Sequence, residues 1–271
     1  MNRSIPSSAF KRLGSAALAW LATWWNILLF GVVIVALALS PSTYDRSRRR
    51  LIAHHIVRAA LPNLLWFTVL SALVGVVLIR IVVVTALSYG LSRFAIEMVV
   101  RVLVLELIPL TAALFIALRH MLPEAALVGQ MRAAGVLLGL RQRGVDPVRQ
   151  EFLPRVLAGV FSVWMLGTVS CIMTLVLAYL AIYGFTPWAV AMYTRVVGQV
   201  FNSAVNLILV LKLFFFSLAV SFIPMASAYS DGAASDVRQR RRRGTSGQAG
   251  VVRLFSVVLL IEVASLMGNY Y

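Results

Sequence analysis

Residues 129–155 read GQMRAAGVLLGLRQRGVDPVRQEFLPR, a dense run of arginines set between strongly apolar segments. The 271 residues around it are 61% hydrophobic and 13% charged. A soluble domain carries about 45–50% apolar residues, so the chain belongs in a bilayer. A basic interior island of such a chain must stand in water on one side of that bilayer. Within it, Gly144-Val145-Asp146-Pro147 ends any preceding helix, because proline lacks a donor and biases Asp146 away from helical dihedrals. The island is expected to be where a membrane protein is gripped from the cytoplasm.

The flanks set the topology. Residues 16–39 are apolar, but Lys11 and Arg12 precede them and Arg46, Arg48, Arg49 and Arg50 follow. Positive charge at both ends implies two cytoplasmic ends. An elbow lying in the inner leaflet fits, with Trp20, Trp24 and Trp25 at headgroup level; a true span is the alternative. A cleaved signal is the weaker reading, since the apolar run exceeds the ~7–15 residues of a signal core. Residues 64–87 then cross outward, with Arg80 snorkelling late, and 88–93 turn outside. Residues 94–118 return, carrying Arg101, Glu106 and Pro109. After the island, 156–183 cross outward, and 184–195 turn at Pro187. Residues 196–229 come back, long enough to demand a tilt or a kink near Pro224. A loop at 230–250 holds Arg238 and Arg240 to Arg243, and 251–267 make the last crossing, leaving Asn269, Tyr270 and Tyr271 outside. An all-α protein with an N-terminal interfacial helix and five crossings places all three basic clusters on one side. The expected division is 1–50 for the basic terminus and elbow, and 51–271 for the membrane domain, with a cytoplasmic coupling region at 119–155.

Several chemistries drop out. The net charge of +16 is the ordinary topology signal of a multi-pass protein and not a nucleic-acid footprint, since no soluble domain remains to read a groove. The sequence has no Gly-Lys pair, hence no Walker A loop. The lone Cys171 allows no disulfide within one chain. His54, His55 and His120 are not at metal-ligand spacing, and no serine or cysteine has a base-and-orienter set. Glu106, Lys212 and Glu262 say more, because each sits in an apolar span. A charge there costs about 2.5–3.5 kcal/mol on the insertion scale, so the three should pair or face a wet cavity. A neutralising triad that fixes helix packing and a polar patch on a substrate path both remain open.

Read as one block, Glu106 to Arg155 resembles the MlaE-type permeases of the MCE-associated ABC lipid transporters. The matching residues are Glu106, Leu107, Pro109, Thr111, Ala112, Arg119, Gly129, Met131, Leu140, Gly144, Asp146, Pro147, Pro154, Arg155 and Ala158. Lys212, Phe216, Val251, Val252 and Glu262 continue it, with Glu262 at a usual aspartate. The chain departs from the pattern at Ala134, Gly135, Val136 and Leu138, where the family carries threonine and acidic residues, and at Leu105, Leu118 and Ser217.

The resemblance implies an ABC-exporter-like permease of a bacterial cytoplasmic membrane, its N-terminus cytoplasmic and its C-terminus periplasmic. It implies a second copy of the chain, a cytoplasmic ATPase that holds ATP and magnesium, a periplasmic MCE-domain protein, room for a small cytoplasmic accessory subunit, and phospholipid as cargo. No cofactor is expected on this chain. Met131, Leu140, Arg141, Arg143, Gly144, Asp146, Pro147 and Arg149 would couple to the ATPase. Glu106, Lys212 and Glu262 would shape the lipid path, and Pro109, Arg119, Gly129, Pro154 and Arg155 would be structural. The rival expectations are a non-transporting anchor for a lipid-binding complex and, more weakly, an ion-coupled secondary transporter using Glu106 and Glu262.

Overall fold

The computed structural model describes residues 7–41, 44, 46–91, 94–230 and 246–270. Among these, every regular element is helical. In order they are α1 (Ser7–Leu39), α2 (Arg46–Ser88), α3 (Ala95–Ala133), the short α4 (Val136–Gln142), α5 (Val148–Tyr183), α6 (Val190–Val200), α7 (Ser203–Ser230) and α8 (Ser246–Tyr270). Six helices, all but α4 and α6, are long and apolar enough to cross a membrane. A helix satisfies its own backbone, which lipid cannot do. The result is the expected all-α membrane bundle. The arginine run at 240–243 lies outside the described residues.

Two boundaries differ from expectation. The arginines after residue 45 open α2 instead of preceding it, so that helix runs from Arg46 to Ser88 with Pro62 inside. Residues 184–195, expected as a turn, contain the 3-10 turn Pro187–Ala189 and the start of α6. The long return at 196–229 is accordingly two helices, broken at Phe201 and Asn202. The Asn202 side chain accepts the Val205 N–H at 2.8 Å and so caps α7. A capped break takes up the excess length, while Pro224 lies within α7.

Three stretches of α3 and α5 are wound as π-helix: Val100–Leu107, Ala117–Met121 and Val148–Phe152. Each ends two residues before a proline, at Pro109, Pro123 and Pro154. The residue ahead of each proline donates five residues back, Ile108 to Leu103, Leu122 to Ala117 and Leu153 to Val148. A proline ring collides with the carbonyl four residues earlier, and the wider turn relieves that crowding without ending the helix.

The longest helix seam joins α2 to α5, and α7 packs between α5 and α8. Gly159 of α5 lets α7 approach closely, because an added Cβ would stand 2.7 Å from Ser221 Oγ. Phe152, Met121, Leu166 and Phe216 are fully buried in this core. From outside, α1 adds Ile27, Phe30 and Ile34. The Phe30 ring meets Phe152 in the first turns of α5 at 5.6 Å and Tyr229 in the last turn of α7 at 5.5 Å. The middle of α1 therefore lies level with the bundle end that carries α4. Trp20 and Trp25 project from α1 exposed, and its residues 20–39 are themselves long and apolar enough to cross a membrane, a sixth such helix beside the five expected crossings.

Candidate functional site

The island folds as a helical hairpin. It begins with the last turns of α3, turns at Gly135, forms α4, turns again and enters α5. The second turn follows from four residues. Gly144 adopts φ +73°, a left-handed conformation that costs glycine least. Its N–H reaches Arg141 O at 3.0 Å and Val145 N–H reaches Leu140 O at 3.0 Å, the paired bonds of a Schellman end. Asp146 Oδ1 then accepts the Val148 N–H at 3.0 Å, capping the start of α5, and Pro147 stands directly ahead of Val148, where its missing N–H costs no helix bond. Gly-Val-Asp-Pro is thus a stop signal and a start signal fused.

The hairpin sorts the expected coupling residues by exposure. Arg141, Arg143, Gly144 and Asp146 are exposed; Met131, Leu140 and Arg149 are half-buried; Pro147 is buried. Apolar side chains stand out beside the arginines, with Val136 43% and Leu138 65% exposed. Gly129 is half-buried on α3 and Pro154 is buried on α5. Pro109 is buried and Arg119 exposed, both on α3 and away from the hairpin tip.

Two arginines fasten the hairpin to the bundle. Arg155 Nε meets Glu124 of α3 at 2.8 Å, and its Nη1 meets the Glu151 carboxylate and donates to Glu151 O at 2.6 Å. Its Nη2 lies 3.9 Å from Met131 Sδ, which assigns Met131 a packing contact. Arg132 donates to Ala228 O at 3.3 Å and to Tyr229 O, with its guanidinium 5.8 Å from the Tyr229 ring centroid. Sequence reasoning overlooked Arg132, Glu124 and Glu151. The Glu151–Arg155 spacing of four was a readable signal; the other two partnerships carry none. His55 of α2 and His120 of α3 lie within electrostatic range of Glu124 and Arg155.

Deeper in the bundle, the three intramembrane charges come together. Lys212 Nζ of α7 contacts the Glu106 carboxylate of α3, reaches Glu262 Oε2 of α8 at 2.8 Å and donates to Leu105 O at 3.2 Å. Its side chain is 1% exposed, against 11% for Glu106 and 13% for Glu262. Pairing is thus present, with Lys212 the most deeply buried of the three. Glu106 sits in the first π-wound stretch.

The opposite end of the bundle closes with tyrosines. Tyr193 of α6 packs edge-on against Tyr179 at 5.3 Å and donates to Leu175 O at 2.8 Å. Burial, helped by Tyr183, pushes the Tyr193 phenol up to about 12, so it stays a donor. Beyond it, Phe185 and Trp188 are almost fully exposed.

Against known proteins, the family model described as Permease MlaE matches residues 52–267, which takes in the hairpin, its arginine anchors and all three intramembrane charges. No curated protein matches the chain.

Proposed function

Because the chain belongs to the MlaE permease family, and is a transport subunit and not an enzyme, we propose that it moves phospholipid between the inner membrane and a periplasmic MCE-domain protein. On this reading two copies work together, each docking a separate cytoplasmic ATPase that supplies ATP and magnesium. The observation that supports it best is the hairpin: a short helix held out from the bundle, its arginines free and its base clamped by Arg132 and Arg155. A displacement imposed on α4 would pass through the capped Gly144–Asp146 turn into α5, and through the Arg132 contact into α7. The exposed Val136 and Leu138 beside Arg141 and Arg143 call for a partner groove with an apolar floor and an acidic rim. Glu106, Lys212 and Glu262 lie at the meeting of α3, α7 and α8, where they would shape the polar part of the lipid path.

The test is capture of the ATPase by the full chain in detergent. R141E/R143E should abolish capture while leaving membrane insertion intact, and undiminished capture would remove the docking role. A second reading, a non-transporting anchor, draws on Ala134, Gly135, Val136 and Leu138, which replace the threonine and acidic residues of the family pattern. Reconstituted with its partners, an anchor would bind them yet show no nucleotide-dependent lipid movement.

A further inference from the structure

We propose that the Phe185–Trp188 turn and α6 form a membrane-surface anchor at the end of the bundle opposite the hairpin: Phe185 and Trp188 lie among phospholipid headgroups, and Arg195 pairs with their phosphates. The inference rests on the levels of the helices and not on lipid transport, so either can fail without the other.

Contacts between helices fix those levels. An added Cβ on Gly75 of α2 would stand 3.7 Å from Thr174 Oγ1 of α5, and Ile79 packs in one cluster with Ala178. Both pairs give the same parallel register, which sets Arg58 level with Leu157 and Arg80 level with Tyr179. Gly250 of α8 meets Ser227 of α7, just before Tyr229, whose ring lies 5.5 Å from Phe152. Arg253, one turn further along α8, therefore joins Arg58 near the level of Arg155. Three arginines on three helices mark that boundary of the hydrocarbon. Between Arg58 and Arg80 α2 carries no charged residue, and the two stand roughly 33 Å apart at about 1.5 Å per residue. A hydrocarbon core is about 30 Å thick, so Arg80 and Tyr179 mark the other boundary.

Helix α6 lies along this second boundary. Tyr193, near its start, packs on Tyr179 at 5.3 Å and on Tyr183 at 6.3 Å. Val200, at its end, clusters with Ile96 and Val100 of α3, whose neighbours Val99 and Leu103 pack with Ile79 and Ala178. Both ends of α6 thus rest near the level of Arg80. The helix turns Tyr193, Val197 and Val200 to the bundle and leaves Met192, Arg195 and Gln199 exposed, the division expected of a helix lying in a membrane interface. Ahead of it the turn is braced. The Tyr179 hydroxyl donates to Thr186 O, and Thr186 Oγ1 donates to Tyr183 O at 2.7 Å. That turn holds out Phe185 and Trp188, 91% and 93% exposed, the most exposed large apolar side chains among the described residues. Aromatic rings at this height are best accommodated among headgroups, the layer in which tryptophan is enriched. None of the ion pairs among the described residues uses Arg195, and a guanidinium matches a phosphate in charge and geometry.

Tryptophan emission of the full chain in nanodiscs of phosphatidylcholine and phosphatidylglycerol tests this, with the Trp188 signal taken as wild type minus W188F. Phosphatidylcholine spin-labelled on its headgroup should quench that signal more strongly than aqueous iodide does. The reverse order would put the turn in water and overturn the proposal. Protection from both quenchers would mean that a second copy covers the turn, and would overturn it too. R195E should lose much of the headgroup quenching while R195K keeps it; equal quenching in R195E would remove the phosphate pairing. Because Trp188 and Arg195 face outward, W188F and R195E should melt at the wild-type temperature. A lower melting temperature in either would reveal a contact within the bundle and count against the anchor.

Discussion

Replacing Arg155 with alanine should destabilise the protein by about 3 kcal/mol. An exposed ion pair of i,i+4 type contributes only about 0.3–0.5 kcal/mol, whereas stripping one partner from a buried pair costs about 3–5 kcal/mol. The Arg155 side chain is 11% exposed, and Glu124 and Glu151 are 19% and 18% exposed, close to the buried limit yet still touched by water. Removing the guanidinium leaves two carboxylates facing one another with no cation between them. At the roughly 2–4 °C per kcal/mol of a chain this size, the melting temperature should drop by about 6–12 °C. Tryptophan fluorescence melts of the full chain in nanodiscs read this directly. The same substitution in an E124Q/E151Q background should cost much less, because no bare carboxylate remains. An R155A chain that melted with the wild type, or lost as much in the neutralised background, would refute the electrostatic clamp.

Other substitutions separate local from global effects. D146A removes the cap of α5 and should cost about 1 kcal/mol, seen as faster deuterium exchange over Val148–Phe152, while D146N keeps the cap and the wild-type rate. R132A should speed exchange in the last turn of α7 without disturbing α3, since the Ala228 and Tyr229 carbonyls lose their donor. G159L should prevent accumulation of folded protein, because overpacking a rigid seam costs about 1–3 kcal/mol or more. Its control is G129L, where nothing lies within 4 Å of the added Cβ and expression should be normal.

Much of this architecture was legible because lipid enforces simple rules. Apolar length located the membrane-crossing helices, and the cost of a bare charge in hydrocarbon brought Glu106, Lys212 and Glu262 together before any contact was known. Gly144-Val145-Asp146-Pro147 announced its turn through residue chemistry alone. What stayed hidden was of two kinds. Hydropathy read straight across Phe201 and Asn202, although an asparagine followed by serine was a helix-start signal waiting there. The Arg132 and Glu124–Arg155 contacts join positions far apart in the chain, and nothing in either local stretch encodes the meeting. Among the island's arginines the resemblance set Arg155 apart as structural, but it named no partner for it, and Arg132 carried no expectation at all. In the fold, Arg141 and Arg143 face out while Arg132 and Arg155 hold the hairpin in place.

The π-wound stretches reset the angular phase of the helices that contain them. A regular α-helix advances about 100° per residue, and each widened turn lags that count, so the facing of later positions slips. A helical wheel drawn across Ala95–Ala133 in one sweep would aim the residues beyond Leu107 at the wrong neighbours, and would err again past Met121. Cysteine pairs for cross-linking α3, or labels meant to look into lipid, must be chosen from a wheel restarted after each wide turn.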